Sequence, residues 1–228
     1  MKYTNIKQGI FLKRVNRFIA HVLIDHIEHV VHVKNTGRCQ ELFISGAVVF
    51  LEAAQNPGRK TAYSLIAIYK GDRLINIDSQ VPNHVVFEAL QAGRIPEFGL
   101  PDKGKKEVTF GNSRFDIYFE TAQQKSFIEV KGVTLEENGV VMFPDAPTIR
   151  GTKHVYEMIK AVEAGYGGYI FLLIQMKGVD YFRPNTKMDG DFSNALLQAV
   201  QKGVILLAYD SLVSANEIVL GEVVNIAL

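Results

Sequence analysis

The stretch EVTFGNSRFDIYFETAQQKSFIEVKGV, residues 107–133, decides how the rest of the chain is read. Two β-rich apolar runs, 107–120 and 125–133, flank a polar segment, and this pattern predicts a hairpin. Side chains two residues apart on a strand share a face, so Glu129 and Lys131 project together while Val130 turns into the core. If the runs pair, Asp116 can lie beside them. Two carboxylates and an ammonium on one sheet face can hold a hard cation, Mg²⁺ or Mn²⁺, through oxygen ligands and orient a water against a phosphodiester. A surface ion pair on an exposed strand would leave the same trace, since Glu-x-Lys is expected about once by chance in a chain of this length.

Working outward, Asn83 to Gly93 reads as a helix with Asn83 as cap, followed by a Pro- and Gly-rich connector through Gly104. Beyond the hairpin, the loop Phe143 to Pro147 leads into a helix ending near Ala164, with Val155, Met158, Ile159 and Val162 at helical spacing and Gly165 as its stop. The strand YIFLLIQM (169–176), a helix from Asn194 to Lys202 and the strand VILLAY (204–209) complete an α/β domain with a mixed sheet. Helix, strand with Asp116, strand with Glu129-x-Lys131, helix is the order of the PD-(D/E)xK nuclease core. An upstream acid for such a site is left open between Glu97 and Glu107. Arg150, Lys153 and His154 share one side of the first turns of the 149–164 helix, where free N–H groups and the helix dipole favour an anion, so a substrate phosphate is the expected partner. Arg114 is placed with them as a DNA contact. Asp145 either reaches the metal or holds its turn.

Residues 9–75 alternate short β-rich segments with turns, apart from a short helix expected near 46–53. Several short strands in so few residues must protect their edges, which predicts a small β-barrel; an OB-fold satisfies this, and another small barrel fits nearly as well. The chain is therefore read as two domains, 1–80 and 81–228. The first carries eleven basic residues against six acids, the second fourteen against eighteen, for a total of +1. A basic module joined to an acidic one suits a polyanion on the first and cations on the second. Lys13, Arg14, Arg17, Lys34 and Arg38, with Arg59 and Lys60, are candidates to follow a nucleic-acid backbone, Arg38 from the turn Asn35-Thr-Gly-Arg38. Phe11, Phe18 and Phe43 are candidates for base stacking, against core packing as the simpler role. His26, His29 and His32 have helical spacing in a β-branched setting, so they read as strand histidines and not as a metal cluster.

With 228 residues, 47% hydrophobic and 21% charged, the chain can bury a substantial core, and disorder and low-complexity readings are excluded. Cys39 is the single cysteine, which excludes an internal disulfide framework and a cysteine-rich zinc site. The first residues contain scattered lysines and arginines without a continuous apolar stretch, and the longest apolar run, 169–174, falls far short of the ~20 residues of a membrane helix. The expectation is a cytoplasmic protein with no membrane partner.

Four segments, HVKNTGR (32–38), GNSRFD (111–116), EVKGVTL (129–135) and FPDAPTIRGTKH (143–154), together resemble the sugar fermentation stimulation (SfsA) family. The resemblance spans most of the chain in the family's order. It implies an N-terminal OB-fold that binds DNA, a C-terminal PD-(D/E)xK nuclease-like domain, a prokaryotic source and a regulatory link to sugar metabolism. Carried over by residue, it implies Asp116 and Glu129 as metal ligands and Lys131 as the catalytic lysine. The leading expectation is metal-dependent DNA cleavage; the alternative is a non-catalytic DNA-binding regulator on a nuclease scaffold, and a barrel that binds RNA or oligosaccharide is a third reading. Whether the DNA is single- or double-stranded, and whether the protein is a homodimer, is left open at this stage.

Overall fold

The computed structural model describes residues 1–228 other than Thr36 and Pro57. Six strands, β1 (Ile6–Arg14), β2 (Ile19–Ile24), β3 (Ile27–Val33), β4 (Val48–Ala53), β5 (Tyr63–Lys70) and β6 (Arg73–Asn76), lie in the order β3-β2-β1-β4-β5-β6. Parallel pairing of β3 with β5, with His32 opposite Ser64 and Val33 opposite Leu65, closes the first five into a barrel. Closure removes the exposed edges that short strands must otherwise protect. This is the expected OB-fold. The helix expected near 46–53 is instead mostly β4, where Val49 and Leu51 point inward between less buried neighbours. Its β-branched, period-2 pattern outweighs a weak helical one. Two of the three histidines follow the strand reading, His29 and His32 on β3, while His26 lies in the turn before it at φ 66°, and no group of three metal-ligating side chains occurs among the described residues.

The second domain opens with α1 (Val81–Gln91), whose N-cap is Gln80, three residues before the expected cap Asn83. Pro82 explains the shift, because its fixed φ and missing N–H suit a first turn. Asn83 therefore lies inside the helix and its side chain is released from capping. The run 107–120 proves to be two strands, β7 (Lys103–Phe110) and β8 (Ser113–Glu120), folded back at Gly111, whose φ of 53° favours glycine. The predicted hairpin joins β8 to β9 (Lys125–Val133).

After β10 (Leu135–Glu137), β11 (Val140–Phe143), α2 (Ile149–Glu163), β12 (Gly167–Ile174), β13 (Tyr181–Pro184) and α3 (Gly190–Gln201) come β14 (Ile205–Val213), β15 (Ile218–Val223) and β16 (Asn225–Ile226). The main sheet is ordered β15-β14-β12-β9-β8-β7, with β12 parallel to both β9 and β14 and antiparallel pairs at the flanks. All eight residues of β12 are buried because α1 covers one face and α2 with α3 the other. Thr148 caps α2, its hydroxyl accepting from the Gly151 N–H at 3.0 Å, and Asp189 caps α3 through the Phe192 N–H at 2.9 Å. Asp189 starts α3 a turn before the expected Asn194.

A small sheet, β10-β11-β13-β16, joins the two domains. Its Val141 and Phe182, with Leu172 and Ile174 of β12, share one apolar cluster with Phe11, Val22, Val33 and Leu51 of the barrel. Polar contacts reinforce the joint. Glu136 is 5% exposed and accepts from Lys70 at 2.8 Å, Arg73 at 2.8 Å and the Gly139 N–H at 2.6 Å. No helix among the described residues is long and apolar enough to cross a membrane.

Candidate metal and phosphate site

Asp116 marks the point where β8 changes faces. Phe115 packs toward α2 and α3, whereas Ile117, two residues on, packs toward α1. Paired register with β9 ends at Ile117 opposite Ile128, and Asp116 turns into the gap that follows. There its Oδ2 accepts from the Val130 N–H at 2.8 Å, in place of a ladder bond, and its Oδ1 accepts from Asn83 Nδ2 at 2.7 Å. Burial, followed by the neighbouring charge of Glu129, raises the Asp116 carboxyl to about 6 against the pull of the Val130 N–H, Lys131 and Asn83.

Glu129 and Lys131 share a face of β9, as the period of two requires, but that face is covered by α2. The expectation of an exposed surface pair is thereby excluded: Glu129 is 3% exposed. Its Oε1 accepts from Lys131 Nζ at 2.6 Å and from the Nδ1 of His154. Its Oε2 is buried and has no hydrogen-bond partner among the described residues. Burial alone would raise this carboxyl; Lys131 and His154 overcome it and hold it below the usual carboxylate range.

The donors here are carboxylate oxygens, which suit a hard cation, and the orphaned Oε2 of Glu129 is a buried acceptor that a cation would satisfy. No third acid or histidine completes an all-protein cage among the described residues. A two-carboxylate site that leaves positions for water and phosphate matches the habit of Mg²⁺. The residues fit the group.

The three cations of α2 separate by depth. His154, 7% exposed, points inward to Glu129. Lys153 lies on the surface and donates to the Asn112 carbonyl at 2.9 Å, and Arg150 is exposed. Arg114 is exposed on β8 and pairs with Glu107 at 3.5 Å. Neither proposed upstream acid contacts Asp116: Glu107 faces Arg114, and Glu97 accepts from the Tyr209 hydroxyl at 2.8 Å. The contact from the preceding helix comes from Asn83, which sequence reasoning had assigned to capping. The presence of Pro82 was the available signal. Beside it, His84 meets Lys106 at 3.2 Å.

On the barrel the candidate cations divide in the same way. Two are already engaged by the protein itself. The Arg14 guanidinium donates to the carbonyls of Arg17, Gly37 and Arg38 and lies 4.4 Å from the centroid of the Phe43 ring, so it holds its own loop together. Lys34 is partly buried between Glu52 at 2.9 Å and Asp78 at 3.3 Å. Lys13, Arg17 and Arg38 are exposed, and their side chains make no hydrogen bond or ion pair among the described residues. Phe11 is core, Phe43 is half-buried and Phe18 is 50% exposed. The Asn35 to Arg38 turn includes Thr36, which lies outside the described residues. The Arg38 N–H reaches across the domains to Asp145 Oδ2 at 2.9 Å, so Asp145 holds this joint.

A closed OB barrel joined to a mixed α/β sheet of nuclease-like fold, with an acid pair and a lysine on adjoining strands, defines a two-domain class. The "SfsA N-terminal OB domain" matches residues 12–77, and the "Sugar fermentation stimulation protein RE domain" matches residues 80–217. The chain belongs to the sugar fermentation stimulation protein family. A homolog from Alkaliphilus oremlandii is 57% identical over 99% of this chain and 98% of its own length. One from Desulfitobacterium hafniense is 54% identical over 100% and 99%. Among solved structures, "The structure of Pyrococcus Furiosus SfsA in complex with Ca2+" superposes with a TM-score of 0.88 at 27% identity, covering 100% of this chain and 98% of that one.

Proposed function

We propose that this protein binds DNA and that its second domain cleaves phosphodiester bonds with a divalent cation held by Asp116 and Glu129. The observation that carries the reading is the buried, partnerless Oε2 of Glu129 beside Lys131 and Asp116. An apolar or fully paired site would be more stable, because an unsatisfied buried acceptor costs about 1–3 kcal/mol. The Ca²⁺ complex of the Pyrococcus relative supports a divalent cation in this fold. When bound, Mg²⁺ or Mn²⁺ supplies Lewis-acid activation of water and screens phosphate charge.

The chain's own groups do the positioning. Asn83 and the Val130 N–H fix the Asp116 carboxylate, and His154 fixes Glu129 by holding Oε1 so that Oε2 stays free. Lys131, once drawn from Glu129 toward an arriving phosphate, stabilises the charge that develops as the bond breaks. Arg150 and Lys153 at the start of α2 hold the phosphate backbone from outside. The regulatory link to sugar metabolism suggested by the family name would then act through DNA.

Two variants test this. Glu129→Gln keeps shape and deletes the ligand charge, and Lys131→Met keeps length and deletes the ammonium. In a Mn²⁺ assay both should bind DNA yet lose cleavage by roughly 10²-fold or more. Should purified wild type cleave no DNA while both variants bind normally, the chain is a binding-only regulator.

A further inference from the structure

We propose that the DNA taken by this site is a single strand, threaded along one continuous trough that crosses both domains; this rests on the function proposed above. Three depressions make up the trough. On the barrel, one of about 590 Å³ is lined by Lys13, Arg17, Arg38 and Phe43. Between the domains, a cleft of about 400 Å³ is lined again by Arg17 and Arg38, and by Gly132 and Thr148. At the start of α2, a groove of about 500 Å³ shares Thr148 and Pro147 with the cleft and adds Ile149, Lys153 and Tyr156. Shared walls make neighbours of the three, and the strand that carries Lys131, β9, supplies Gly132 to the middle one.

Size is the first argument for a single strand. The middle cleft has the volume of a small-molecule pocket, enough for about one nucleotide and too little for a duplex. Depth is the second. Glu129 is 3% exposed and the Lys131 side chain 13%, below the level at which a duplex resting on the surface presents its phosphates. A flexible strand can bend its backbone inward to reach them.

The third argument is the kind of side chain along the path. Exposed Lys13, Arg17, Arg38 and Lys153 share the walls of the trough with apolar and aromatic groups: Phe43 is half-buried, Tyr156 is 39% exposed, and Ile149, the first residue of α2, is 90% exposed. Cations interleaved with apolar and aromatic surfaces are how proteins hold unpaired bases, whereas a duplex keeps its base faces stacked and offers such groups nothing. Three carboxylates in the trough are turned to the protein: Asp145 accepts from the Arg38 N–H, Asp189 from the Thr148 N–H at 2.8 Å, and Glu157 from Lys160 at 2.6 Å. Exposed Asp191 marks the far end, where a phosphate is disfavoured.

The test uses the full chain with Ca²⁺, comparing a 5′-labelled 20-nucleotide strand with a blunt duplex of the same sequence by fluorescence anisotropy. The strand should bind about 10-fold more tightly or better, the scale of one or two base-stacking contacts. Ile149→Ala should weaken strand binding several-fold and leave duplex binding unchanged, whereas Arg38→Ala should weaken strand binding several-fold through a lost phosphate contact. Equal or tighter binding of the duplex overturns the single-strand assignment and leaves the DNA reading standing. Binding of neither DNA at low salt overturns both.

Discussion

Lys34 in the barrel and Lys131 in the second domain are both drawn in from solvent between hydrogen-bonding neighbours, yet they differ in what their partners have left over. Around Lys34, Glu52 and Asp78 spend their oxygens on the lysine and on the N–H groups of Thr4 and Gln80. Glu136, the most heavily engaged carboxylate at the joint, is likewise satisfied by Lys70, Arg73 and Gly139. Glu129 keeps one oxygen idle. A saturated buried ion pair is structure, and one with spare valency in a dry setting is where a ligand is owed. The same distinction sorts the barrel's arginines, since Arg14 is consumed by loop carbonyls while Arg17 and Arg38 are not.

The largest effect that could break this comparison is thermodynamic. Glu136→Gln should destabilise the protein by about 3 kcal/mol, because Lys70 and Arg73 lose their buried counter-charge, and should leave DNA cleavage by the remaining folded protein intact. Denaturant unfolding measures this; a loss within about 0.5 kcal/mol would mean saturation carries no stability. The pH dependence has a defined sign. The Glu136 carboxyl is lowered to about 2, as Lys70, the Gly139 N–H and Arg73 overcome the effect of burial. A carboxyl depressed on folding gives stability that is full above its unfolded value and is lost as pH falls, here from about 5 toward 2. Glu136→Gln should flatten that limb.

Next in size, Lys34→Met should cost about 2 kcal/mol by stranding Glu52 and Asp78, with the salt dependence of DNA binding unchanged. A reduced salt slope would show that Lys34 contacts phosphate after all. Smaller still, Asn83→Ala should weaken Mn²⁺ binding by about 10-fold, the usual cost of losing an outer group that orients a ligand, with little change in stability. Isothermal titration with Mn²⁺ decides it, and unaltered affinity would return Asn83 to a merely helical role.

Much of this was legible in residues 107–133. Period-2 spacing put Glu129 and Lys131 on one face, and the polar break gave the β8–β9 hairpin. The fold-back at Gly111 was missed because two short strands were read as one. The small sheet was missed for a different reason: β11 and β13 are four residues each, separated by α2 and β12, and pair in parallel, so no local pattern links them. Asn83 was assigned to capping because cap preference is local, whereas its partner Asp116 lies 33 residues away. His154 was grouped with Arg150 and Lys153 by helical spacing, which fixes a side of the helix but not which residue points under it. Sequence marks a cation; it does not say whether the cation is already spoken for.

The apolar cluster that runs from Phe11 and Val22 through Val141 and Phe182 to Leu172 ignores the boundary between the domains. For protein engineering, the barrel is therefore not a detachable cartridge. Excised, it would bare a greasy underside, and a foreign barrel grafted in its place would have to reproduce that underside methyl by methyl. Heating should accordingly melt both halves in a single calorimetric transition.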